Sequence, residues 1–203
     1  MTDKEVLRKK FIEGNYKYNE KLFEEIKDTL QDRYKREGNV IDDIIERFPD
    51  NTNLTEVYAK VVIVNTTHSA GVNRIHCIEV AEDIVEFDKF DERLKNGDIK
   101  LVDELIEKTH KKIGKFQWAF YPKYLACHNP MFSKYDQYVG EYVNKRSKAL
   151  GLQQFKTKVG EFYENYYNAI GEIIKEDEFP DRTTFDTFIW ALYREDGKKN
   201  EKY

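Results

Sequence analysis

Residues 113–139 read IGKFQWAFYPKYLACHNPMFSKYDQYV, and the fold is best approached outward from them. Gly114 marks a turn between two stretches with helical patterning. Residues 116–127 are apolar and aromatic and are expected to form a helix that His128-Asn129-Pro130 ends, because proline and the residue before it leave the helical conformation. A loop follows. Asp136 then opens a helix over 135–150, and Gly151 stops it; aspartate caps helix starts and glycine closes helix ends.

The flanks repeat this pattern. Upstream, Asn53-Leu54-Thr55-Glu56 is a helix start with the spacing of a capping box. Its helix carries Val57 through Val64 and ends in the polar run 65–71. A second helix over 74–87 shows Ile75, Ile78, Ala81, Ile84 and Val85 as its stripe. Asp91–Lys95 reads as a short helix closed by Asn96-Gly97, and Asp98 caps the next, through Leu101, Leu105 and Ile106. Residues 4–36 have helical spacing, with Leu22, Phe23, Ile26 and Leu30 on one face. Downstream, residues 153–175 predict a helix, and Thr183 or Thr184 opens the last one, through Phe188, Trp190 and Leu192. Four prolines and ten glycines in 203 residues let helices run long. Strand signals are scarce, so the expected class is all-α, a compact multi-helix domain.

The expected organisation is an N-terminal helical extension over 1–50 packing on a main domain at 51–195, with a flexible tail at 196–203. No stretch approaches the ~18 apolar residues of a membrane span, and the charged N-terminus has no apolar run behind it, so a cytoplasmic protein with no membrane contact is expected. Cys77 and Cys127 stand fifty positions apart; they suit two reduced thiols better than a disulfide framework or a four-thiolate metal site. The four histidines lack metal-ligand spacing, so no metal or cofactor is expected. P-loop, H-E-x-x-H, G-x-S-x-G and C-x-x-C patterns are all missing from the sequence.

Charge is strongly segregated. The chain carries −4 overall, yet residues 108–160 hold eleven cations and two anions, a local +9. Such segregation points to a polyanionic partner; the bland alternative is a basic surface that meets the acidic flanks of its own fold. Asp136 is the sole acid between Glu107 and Glu141. The surrounding cations favour its charged form, which suits it to stabilise developing positive charge or to orient a water. Helix capping is its plain structural role.

On these residues the segment resembles the helix-hairpin-helix superfamily of base-excision DNA glycosylases. That family has a hairpin of the type L-P-G-V-G-x-[KW]-[TS]-A, then a helix, then a Pro-x-x-Asp loop whose aspartate is catalytic and starts the next helix. Here Ile113-Gly114-Lys115-Phe116 sits at the hairpin, and Asp136 follows Gly114 by twenty-two positions, an interval similar to the family's. Val64-Asn65-Thr66-Thr67-His68 is similar to its L-S-x-Q-T-type loop, and Phe185-Asp186-Thr187-Phe188-Ile189-Trp190 to the closing helix of small bacterial relatives. The hairpin lacks its proline and first glycine, and Ser133 stands where the family has proline. Phe116 occupies the position of the lyase lysine, with Lys115 one place off.

The resemblance implies an all-α helix-hairpin-helix glycosylase-like fold over roughly 50–195, bound to double-stranded DNA with one base flipped out. It implies monofunctional base removal without strand cleavage. Asp136 is the implied catalytic residue. Lys111, Lys112, Gly114, Lys115, Lys123 and Lys134 are the implied nucleic-acid contacts. Trp118, Tyr121, His128 and Tyr135 are the implied base pocket, although helical spacing of aromatics also describes a buried stripe. Two alternatives stand beside this reading: an inactive nucleic-acid binder of the same fold, and a helical protein-interaction module of a defence or antitoxin kind.

Overall fold

Residues 4–36, continuous in their spacing, are divided by the backbone. Helix α1 (Asp3–Glu13) ends where Asn15 and Tyr16 take positive φ values of 56° and 64°. Helices α2 (Glu20–Asp28) and α3 (Asp32–Arg47) follow. Leu22 and Ile26 are buried with Phe23 packed partly against them; Leu30 lies outside the described residues. The structure is a computed structural model that describes residues 3–28, 32–158 and 160–193. The expected tail at 196–203 also lies outside the described residues. Among them every regular element is helical, as the scarcity of strand signals predicts, and no helix is long and apolar enough to cross a membrane.

Helix α4 (Leu54–Thr67) starts as predicted, with the Asn53 side chain accepting from the Thr55 and Glu56 N–H groups. A 3-10 turn at Arg74–His76 precedes α5 (Cys77–Val85). Ala81 and Ile84 of the expected stripe are buried and Val85 packs partly on the core, but the first turn is out of phase: Cys77 and Val80 are buried, whereas Ile75 is 69% exposed and Ile78 also faces out. The 3-10 turn rotates the start of the helix, so a 100° wheel drawn through residues 74–87 misplaces its first turn. Helix α6 (Phe90–Lys95) closes at Asn96-Gly97 with Gly97 at φ 67°, and the Asp98 side chain accepts from the Lys100 N–H at the start of α7 (Lys100–Ile113).

The predicted helix over 116–127 is shorter. Helix α8 spans Phe120–His128, and residues 114–119 form a hairpin from α7. Pro122 explains the boundary. Within a helix its missing N–H and its ring would conflict with the carbonyl of Trp118, so it is tolerated only in the first turn. Helix α9 (Gln137–Ala149) matches its prediction, with Asp136 as N-cap and Gly151 at φ 70° beyond its end. Helix α10 (Phe162–Glu176) begins nine residues later than predicted, after Gly160 at φ 78°. Helix α11 (Arg182–Tyr193) opens with Asp181 accepting from the Thr184 N–H.

Helices α4 and α5 pack on each other, α3 on α4 and α8, and α7 against α5, α8 and α10. Helices α9, α10 and α11 form a second layer. Helices α1 and α2 return to α11, where the Phe11 and Phe188 rings lie 5.0 Å apart and Arg8 donates to the Leu192 carbonyl. The core is unusually aromatic: Tyr121, Tyr124, Tyr163 and Tyr166 are fully buried, each with its hydroxyl hydrogen-bonded. That pairing is what lets a tyrosine contribute its burial free energy without an unsatisfied polar group.

Candidate nucleic-acid interface and the Asp136 site

The loop from Asn129 to Asp136 places the site. Asn129 caps α8, donates to the Leu94 carbonyl and accepts from the Met131 N–H. Phe132 and Ser133 are buried, an uncommon position for a loop because buried backbone must find partners. It finds them in side chains of the second layer. The Tyr163 hydroxyl accepts from the Ser133 N–H at 2.8 Å and donates to the Ser133 carbonyl at 2.9 Å. Asp186 Oδ2 accepts from the Lys134 N–H at 2.7 Å, and the Tyr166 hydroxyl donates to the Lys134 carbonyl at 2.8 Å.

Asp136 follows in extended backbone. Its Oδ1 accepts from the Tyr138 N–H at 2.9 Å, the capping bond, and its Oδ2 lies 3.4 Å from Lys123 Nζ. The carboxylate is one-fifth exposed, so it is both a cap and reachable from solvent. Lys123 also donates to the His68 carbonyl at 3.0 Å, which ties the end of α4 to α8 and α9. His68 Nε2 and Cys127 Sγ lie 3.4 Å apart. Burial first, then the Lys134 and Lys123 charges, holds His68 down to about 3, and burial pushes the Cys127 thiol up. The proton therefore stays on sulfur and the imidazole stays neutral. This pair is a half-buried brace, not an activated nucleophile. Among the described residues no three His, Cys, Asp or Glu side chains group closely enough to hold a metal.

Several implied contacts require correction. Lys123 is buried, 5% exposed, and cannot reach a phosphate. Lys112 is exposed but held by Glu82 at 2.6 Å with Asp83 at 3.6 Å, and Lys108 pairs with Glu86; part of the basic segment thus meets the acidic flank of its own fold. Gly114 takes φ 71° at the end of α7, but its N–H is committed to the His110 carbonyl. Lys111 and Lys115 stand exposed and Lys134 half-buried.

The implied base pocket does not assemble. Tyr121 is sealed in the core, its hydroxyl bonded to Thr109, which in turn donates to Asp83. His128 holds its Nδ1 against the Tyr124 carbonyl, and burial lowers it to about 4. Tyr135 sits edge-on to Phe155, Phe162 and Tyr166. Trp118 belongs to the hairpin, where His110, Phe116 and Trp118 stack in series at 3.6 Å and 4.8 Å. A cleft of about 640 Å³ lies along α5 and α7, lined by Glu86, Phe87, Glu104, Glu107, Lys108 and Lys111 among others; neither Asp136 nor any of the four implied pocket residues lines it.

Sequence reasoning missed Tyr163, Tyr166, Asp186 and the His68–Cys127 contact, all brought to the site by long-range packing. Only the i, i+4 spacing of Lys123 and Cys127, which puts both on one face of α8, was a local signal.

Comparison with known proteins adds ancestry. The family model described as the HI_0787_N N-terminal domain matches residues 15–132. An "Uncharacterized protein" of Haemophilus influenzae is 31% identical over 173 residues, covering 83% of each chain. No solved structure matches. The family match runs across the boundary expected at residue 50 and stops at Phe132, four residues before Asp136.

Proposed function

We propose that this chain, which belongs to the family of the HI_0787_N N-terminal domain, is a DNA-binding protein resembling a monofunctional helix-hairpin-helix DNA glycosylase, with Asp136 as its catalytic carboxylate. The observation that carries this reading is the order of parts: α7, the Gly114 hairpin, α8, a pinned loop, and Asp136 partly open at the start of α9. Cleavage of an N-glycosidic bond develops oxocarbenium character at the sugar, which a fixed carboxylate stabilises. In that reaction water adds to the anomeric carbon, the base leaves with the electron pair of the broken N-glycosidic bond, and the proton given up by the water ends on that base. Lys111 and Lys115, exposed on either side of the hairpin turn, supply phosphate contacts that help offset the few kcal/mol of unstacking a base. Such a substrate also implies a cytoplasmic location.

The test is base release from a panel of damaged and modified duplexes, by wild type and by Asp136→Asn. Release by wild type and its loss in the variant are expected; equal release by both would remove Asp136 from the mechanism. Two observations favour a second reading, a non-catalytic binder: Lys123 already occupies one oxygen of Asp136, and Tyr121 is sealed in the core. Binding that weakens steeply with salt, with no base released from any duplex, would establish that reading instead.

A further inference from the structure

We infer that Asp186 is a positioning residue for Asp136: it grips the Lys134 N–H and, with the Tyr163 and Tyr166 hydroxyls, fixes the loop that aims the Asp136 side chain. The inference rests on the reading of Asp136 as the reactive carboxylate.

The geometry is specific. Asp186 comes from the first half of α11, is 7% exposed, and reaches the backbone two residues before Asp136. Its Oδ2 takes the Lys134 N–H at 2.7 Å, while its Oδ1 is buried without a hydrogen-bond partner. A buried carboxyl with one unsatisfied oxygen is a costly way to hold one amide. Asparagine would accept the same hydrogen bond and carry no charge. Costs of this kind persist where a site needs them. The groups that face Asp186 are the Lys134 amine and backbone from the loop, Arg182 from its own helix, and the Tyr163 and Tyr166 hydroxyls from α10. Burial pushes the Asp186 carboxyl up to about 7, against the Lys134 N–H bond and the Lys134 and Arg182 charges, which act the other way. Ionisation near neutrality therefore turns a neutral hydrogen bond into a charge-assisted one, which is shorter and stronger. Tyr166 senses both carboxylates, since Asp186 and Asp136 both raise its hydroxyl.

The test uses ¹⁵N-labelled full-length chain as wild type, Asp186→Asn and Asp186→Leu, with amide spectra followed across neutral pH. In wild type the Lys134 amide should titrate with a midpoint near 7, and in Asp186→Asn it should not. In Asp186→Leu, Lys134 exchange should quicken by about tenfold or more, as for a lost anchor of ~1.4 kcal/mol. The Tyr138 amide, which reports the Asp136 cap, should shift as well. A Lys134 titration that persists in Asp186→Asn overturns the inference, as does an unmoved Tyr138 amide in Asp186→Leu. If Asp186→Leu does not fold, the comparison of wild type with Asp186→Asn decides. These readouts need no substrate, so the two claims fail separately: wild type that releases no base overturns the role of Asp136, while a Lys134 amide that does not titrate overturns the anchor. On any duplex that wild type does cleave, Asp186→Asn should alter the pH profile of kcat and leave KM unchanged; an unaltered profile counts against the anchor.

Discussion

Lys123 and Asp136 meet across the joint of α8 and α9, Nζ to Oδ2 at 3.4 Å, with the lysine side chain 6% and the carboxylate 20% exposed. The lysine also holds the His68 carbonyl at 3.0 Å, so one buried ammonium ties three helices at the candidate site. Removing one partner of a fully buried pair costs about 3–5 kcal/mol. Asp136 is partly solvated, so Lys123→Met is expected to cost about 2 kcal/mol, discounted for screening. Asp136→Asn keeps the capping bond to Tyr138 but removes the counter-charge of the more deeply buried Lys123 ammonium, so it should cost at least as much. Urea unfolding of both variants checks this ordering; a neutral Lys123→Met would show that the contact is incidental.

The three lysines around the hairpin should behave differently toward DNA. Lys111 and Lys115 are exposed, and each replaced by glutamine should lower the slope of log K against log salt by about one. Lys112 is already paired with Glu82 at 2.6 Å, so Lys112→Gln should leave that slope nearly intact. Titration of a fluorescent duplex at several salt concentrations measures all three. Equal loss of slope from Lys112→Gln would mean that its ion pair opens on binding.

Tyr121 separates a pocket wall from a core residue. Its hydroxyl bonds Thr109 in the interior, so Tyr121→Phe should lower stability by about 1 kcal/mol, the worth of a buried hydrogen bond, and leave base release and DNA affinity unchanged. Loss of activity without loss of stability would put Tyr121 back in the site.

What the sequence disclosed and what it hid follow from the range of the interactions. The Asn53 cap, the Gly97 and Gly151 stops and the Asp136 cap are local, decided within a few residues, and each was readable. The start of α8 was misread because apolar patterning outweighed Pro122, although a proline fixes the helix start within one turn. Charge was also readable, but not its pairing: Lys112 meets Glu82 thirty positions upstream. The loop anchor is the extreme case. Asp186 lies fifty-two positions beyond Lys134, and nothing in the spacing of Phe185-Asp186-Thr187 signals that its partner is a backbone amide.

Two half-buried neutral histidines should weigh against stability on the acid side. His68 and His128 are held down to about 3 and about 4 by burial, against about 6.5 in an unfolded chain. The unfolded state therefore takes up protons first as pH falls below about 6.5, and the histidine contribution taken alone lowers stability through that window. His68→Leu should weaken this loss relative to wild type between about pH 6.5 and 4. Urea midpoints across that range test it, and an unchanged acid limb would mean that His68 is solvated in the fold.

Two buried carboxyls oppose the histidines over the same window. Burial raises Asp103, which caps α10 through the Tyr163 N–H, to about 6 and Asp186 to about 7. Their folded values lie above the unfolded ones, so the stability they contribute is fully present below about pH 4 and is lost as pH rises through the folded values. Between about pH 4 and 6, then, the unfolded chain holds two extra protons on histidine while the folded chain holds two on aspartate, and the net slope should be close to flat. The cancellation is exposed by removing one side of it. Asp186→Asn deletes a term that falls with pH, so the variant should gain on wild type steadily from about pH 4 to 7, by on the order of 2–4 kcal/mol. Asp103→Asn should gain over a narrower span that ends near 6. Parallel stability curves for wild type and Asp186→Asn would mean that this carboxyl titrates alike in the folded and unfolded chain. The Lys134 amide would then show no midpoint near 7, the outcome that also overturns the anchor.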